Sequence, residues 1–108
     1  MMYKEFEVGN QTYKLRLDTR AIVALEKKLG CNPLAIFGDG DTIPPVSAMI
    51  AILHAALQPL EHGYTEDAAM KIFDEYLKSH IMTDFLTVII DIYRVSGLIA
   101  QETELKNA

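Results

Sequence analysis

Three histidines, one cysteine and the acidic stretch Asp39-Gly40-Asp41 are the residues of this 108-residue chain best suited to ligating a metal or moving a proton. A helical metal site needs two ligands four residues apart, on one face. His54, His62, His80 and Cys31 offer no such pair. His54 falls on a helix, His62 in a turn and His80 at a helix junction, so they read as capped or solvated histidines. Cys31 follows a helix C-terminus, where the dipole disfavours a thiolate, and reads as a small residue filling a turn. Asp39-Gly40-Asp41 has the opening of a calcium loop, but the twelfth position is Ile50 rather than glutamate and Pro44-Pro45 interrupts the run. Gly38 and Gly40 lack the lysine and the strand-to-helix setting of a phosphate loop. No Ser-His-Asp or Cys-His grouping emerges from the spacing. The expectation is a chain with no catalytic residue, no metal and no cofactor, and so not an enzyme.

The elements that would position any site begin with a β-hairpin over residues 3–17. Gly9-Asn10 is a two-residue turn pair. Pairing across it sets Phe6 opposite Tyr13 and Glu5 opposite Lys14, and the aromatic and opposite-charge pairs agree on one register. Phe6, Val8, Tyr13, Leu15 and Leu17 then share a face that must lie on helices, because a lone hairpin is marginal in water.

Asp18 or Thr19 caps a first helix whose apolar side is Ile22, Leu25 and Leu29, and Gly30 ends it. Asn32-Pro33 starts a short turn with Leu34, Ile36 and Phe37 docking inward. Gly38–Pro45 reads as a loop. A second helix runs from Pro45 to about Gln58, where Pro59 and Gly63 end or bend it. Its polar residues Ser47, His54 and Gln58 lie within roughly 40° of one another, so it belongs at the centre of the bundle. Thr65 caps a third helix to about Ser79, with Ala69, Ile72, Phe73, Tyr76 and Leu77 inward.

The last helix is expected over about 83–100. Asp84, Thr87, Asp91 and Arg94 fill an arc of about 80°, with Phe85, Ile89 and Tyr93 opposite, as core. Val88, Val95 and Ile99 border the polar arc and are the candidate partner-binding residues. On that placement, lysine at both 88 and 95 would be tolerated by the fold. The fold class is mainly α (α+β), an N-terminal hairpin packed on about four helices. Residues 1–100 form one globular domain and 101–108 a polar tail that frays.

Composition narrows the function classes. Half the residues are hydrophobic, the upper end for a soluble domain. A chain of this length leaves roughly a third of its unfolded surface exposed, so part of the apolar surplus is expected to meet a partner, including further copies of the chain. Fifteen acidic residues against ten basic give a net charge of −5, which repels a phosphate backbone and argues against nucleic acid. No run of about 18 apolar residues suggests a membrane span, and MMYKEFEVGN lacks a signal-peptide core. One cysteine permits no internal disulfide, which fits the cytoplasm.

Residues 13–30, YKLRLDTRAIVALEKKLG, and 32–37, NPLAIF, carry a resemblance, continued more loosely by ILHAALQ at 52–58 and VSGL at 95–98. Together they resemble the tail assembly chaperones of long-tailed phages and prophages of Gram-positive bacteria. That resemblance implies a protein of the bacterial host cytoplasm that coats the tape measure protein, keeps it soluble and recruits tail-tube subunits. It also implies that a frameshift near the gene's end often adds a C-terminal extension to a minority of chains. Nothing in it covers the acidic loop at 38–45. The alternatives are a small helical homodimeric adaptor without a phage role and, with less support from the charge, a helix-turn-helix regulator.

Overall fold

The computed structural model describes residues 2–38 and 43–100. The expected polar tail at 101–108 and the acidic part of the loop, Asp39-Gly40-Asp41, lie outside them. An N-terminal antiparallel hairpin, β1 (Lys4–Val8) and β2 (Gln11–Leu15), is followed by four α-helices: α1 (Thr19–Leu29), α2 (Val46–Glu61), α3 (Glu66–Tyr76) and α4 (Asp84–Val95). A 3₁₀ turn, Pro33–Phe37, lies between α1 and α2. The expected α+β class is the one observed.

The register follows from the side chains. Phe6 pairs with Tyr13 and Glu5 with Lys14, and the turn has positive φ at Gly9, which suits glycine at the first central position of a tight hairpin. Phe6, Val8, Leu15 and Leu17 are buried on the face laid against the helices. The outer edge of β2 is covered by α2. The Lys14 backbone N–H donates to Glu61 Oε2 at 2.8 Å, and that of Arg16 donates to Ala56 O at 3.0 Å. A strand edge left bare would invite pairing with other chains.

Asp18 caps α1, its Oδ1 accepting from Ala21 N at 2.9 Å, and Gly30 closes it in the left-handed conformation. Asn32 caps the 3₁₀ turn through Leu34 N at 2.8 Å. There Pro33 is buried, and Ile36 and Phe37 pack on the core. Leu34, expected inward, is exposed.

Helix α2 is the central element. Nine of its 16 residues are buried, and it packs on α1, β2, α3 and α4. Pro45 is its cap rather than its first helical residue, and the helix runs past Pro59 to Glu61. A proline in the last turn forfeits only its own donor to the carbonyl four residues back, so the helix does not break there. The chain then reverses at His62 and Gly63, both with positive φ.

Helix α3 is capped by Thr65, whose Oγ1 accepts from Ala68 N at 3.0 Å. It buries Ala69, Ile72, Phe73 and Tyr76. Leu77, expected inward, is exposed: at 100° per residue it falls roughly 90° from the centre of that buried arc. An aromatic cluster locks β1, α3 and α4 together. Phe85 meets Phe73 at 5.2 Å and Phe6 at 5.7 Å, both near edge-on, and Phe6 lies 5.2 Å from Tyr76, within the range of favourable ring contacts.

Helix α4 ends at Val95, five residues before the expected boundary. Gly97, at φ +85°, allows Leu98 N to bond Tyr93 O at 2.9 Å and Gly97 N to bond Arg94 O at 3.2 Å. This paired arrangement satisfies the last carbonyls and stops a helix. The segment beyond is anchored by Ser96, whose Oγ accepts from Leu17 N at 2.8 Å.

Candidate binding groove

The three residues expected at a partner surface do not form one exposed patch. Val88 is 8% exposed and belongs to the core. Val95 and Ile99 are half-buried, and Ile99, beyond the helix end, no longer shares a helical face with the other two. The cause is the hairpin. Strand β1 packs on α4, and Lys4 reaches Asp91 at 3.1 Å. Asp91 also faces Arg94 at 3.7 Å. The polar arc of α4 therefore meets another element, and its border belongs partly to the interior. Phe85, Ile89 and Tyr93 are fully buried, as expected.

The polar residues of α2 also have structural work. His54 Nε2 lies 2.9 Å from Tyr64 O, and Gln58 Nε2 donates to the same oxygen at 2.7 Å and to His54 O at 2.9 Å. A carbonyl only accepts, so His54 carries its proton on Nε2. The two side chains together fix the α2–α3 loop. His80 stacks on Tyr76 with ring centroids 4.3 Å apart, and Cys31 is an exposed free thiol. Among the described residues, no group of three or more His, Cys, Asp or Glu side chains could hold a metal ion. No described helix is long and apolar enough to cross a membrane.

What the packing does create is a groove between α1 and α2, of about 820 Å³. Its apolar lining is Ala21, Ala24 and Leu25 from α1 with Ala51, Ala55 and Pro59 from α2. Ala21, Leu25, Ala51 and Ala55 are almost fully buried and form its floor, while Ala24 is exposed and Pro59 half-buried at its mouth. Asp18, Arg20, Lys28, His54, Gln58, His62 and Glu66 form the polar rim. Lys28 Nζ meets Glu66 Oε2 at 2.9 Å and ties α1 to the start of α3. The hydrogen bond and positive charge of Lys28 hold the Glu66 carboxyl below its ordinary range.

A concave apolar channel between two helices, with charges confined to its margin, is suited to the apolar face of a third helix. Sequence reasoning missed it. The available signal was the spacing of small residues, Ala21 and Ala24 on one helix and Ala51 and Ala55 on the other.

A family of unknown function (DUF6096) matches residues 2–107. The chain belongs to that family. No curated protein matches the chain, and no solved structure does. The matched residues include the hairpin, the four described helices and both walls of the groove.

Proposed function

We propose that this protein is a phage tail assembly chaperone. It binds and solubilises the tape measure protein in the bacterial host cytoplasm, assists assembly of the tail tube and performs no catalysis. The observation that carries the reading is the open α1–α2 groove, an apolar channel of about 820 Å³ on an acidic, mainly helical domain. A tape measure protein is long and helical, and its amphipathic stretches need apolar surface covered until the tube encloses them. The groove offers that cover to one helical stretch at a time, and many copies would serve one client. Repetition raises overall affinity through effective concentration, even where each contact is weak. With no nucleotide-driven step in this reading, the assembling tail-tube protein releases the client by competing for it. The resemblance of residues 13–30 and 32–37 supports the same reading, and those residues supply the α1 wall and the turn after it.

Co-expression tests it. The protein is expected to raise the soluble yield of its phage's full-length tape measure protein and to copurify with it at several copies per client. A client that stays insoluble, with no complex surviving size exclusion at modest salt, would overturn the reading.

A further inference from the structure

We propose that a second copy of this chain docks its α3 against the outer face of α1. On α1, Arg20, Val23, Ala24 and Lys27 share an arc of roughly 100° on the side away from the core. They line a shallow depression of about 590 Å³ together with Thr19. Val23 is 44% exposed. Among the described residues, neither Arg20 nor Lys27 takes part in an ion pair. The outer side of α3 carries the counterpart. Met70 and Leu77, seven residues apart, are 46% and 41% exposed. Asp67 and Asp74, also seven apart, stand beside them on the solvent side. Asp74 has no ion pair among the described residues, and Asp67 meets only Lys71 of its own helix, at 3.6 Å. Such an exposed pair contributes little and is readily exchanged.

Seven helical residues rise about 10.5 Å. Two cations that have no ion pair among the described residues therefore match two carboxylates on the other helix in both sign and spacing, with Val23 and Ala24 set against Met70 and Leu77. Scattered exposed apolar residues are ordinary. What selects a second copy is the charge match, in a chain whose net charge of −5 otherwise opposes contact between copies. Two different faces meet, so the contact is either reciprocated within a closed pair or repeated from copy to copy. Arg20 and Ala24 also line the α1–α2 groove, whereas Asp67 and Asp74 lie outside it, so Asp67→Lys with Asp74→Lys is the variant that separates this contact from client binding.

The test is the mass of the free protein at low salt, by light scattering or sedimentation, for two charge-reversed variants of the full chain. Arg20→Glu with Lys27→Glu makes both faces acidic, and Asp67→Lys with Asp74→Lys makes both basic. Each variant alone is expected to fall to the 12.1 kDa of a single chain. All four positions are exposed, so circular dichroism and melting should stay near wild type. An equimolar mixture of the two variants is expected to reassociate, because acidic and basic faces then meet at every contact. A wild-type protein already at single-chain mass, reversed variants that keep the wild-type mass, or a mixture that stays monomeric would each overturn the proposal.

Discussion

Tyr93→Phe removes one oxygen from the interior, and its effect can be worked out from a single contact. Tyr93 is fully buried, and its hydroxyl donates to Pro33 O at 2.9 Å, joining α4 to the 3₁₀ turn across 60 positions of sequence. A hydrogen bond of this kind contributes roughly 0.5–1.5 kcal/mol net, which for a domain of about 100 residues corresponds to a fall in Tm of about 2–12 °C. The pH dependence is the sharper readout. Burial pushes the Tyr93 phenol well above its ordinary value, so the folded state keeps the proton after the unfolded chain has begun to lose it. Stability from this group is therefore complete below about pH 10 and lost as pH rises from there toward the folded value. One such group contributes a slope of about 1.4 kcal/mol per pH unit in that window. Urea unfolding of wild type and variant between pH 8 and about pH 11.5 is the assay. Other tyrosines and the lysines titrate in both proteins and cancel in the difference, so the wild-type advantage should shrink and then reverse. Two stability curves that stay parallel through this range would refute the reasoning.

Other positions make equally definite demands. Val88→Lys places an unpaired charge in the core and should cost several kcal/mol, often enough to unfold the domain, whereas Val95→Lys, half-buried at the helix end, should cost far less by chemical denaturation. Gly97→Ala forces a side chain into the left-handed conformation that stops α4, and should lower stability by about 1–2 kcal/mol without loss of helical circular dichroism. An unchanged Tm for Gly97→Ala would show that the stop depends on the anchored Ser96 rather than on the glycine.

The parts of the fold legible in the sequence are those where two local signals agree. The hairpin register rested on an aromatic pair and a charge pair that required the same alignment, and both are present. Asp18 and Gly30 bound α1, and the narrow polar stripe on α2 placed that helix at the centre. Where local signals conflicted, the boundary was misjudged. Leu98 and Ile99 continue the apolar pattern of α4, but Gly97 in the left-handed conformation ends the helix before them. Contacts distant in sequence left no trace at all. Tyr93 and Pro33 are 60 residues apart, and Val88 is buried on an element whose flank depends on where the hairpin docks. The groove was hidden for a related reason: an alanine signals nothing by itself, and the space exists only once α1 and α2 lie side by side.

The central claim, that the α1–α2 groove receives a client helix, is tested most directly by alanine-methyl NMR of the protein with and without its tape measure client. Ala21, Ala24, Ala51 and Ala55 line the groove, while Ala69 is buried in α3 away from it. Binding is expected to move or broaden the four groove methyl signals and to leave Ala69 in place. Filling the groove with Ala24→Trp, at an exposed position, should abolish both the shifts and the complex, whereas Asp67→Lys with Asp74→Lys, outside the groove, should abolish neither. A complex that forms with the four groove methyls unmoved, or that survives Ala24→Trp undiminished, would contradict the account.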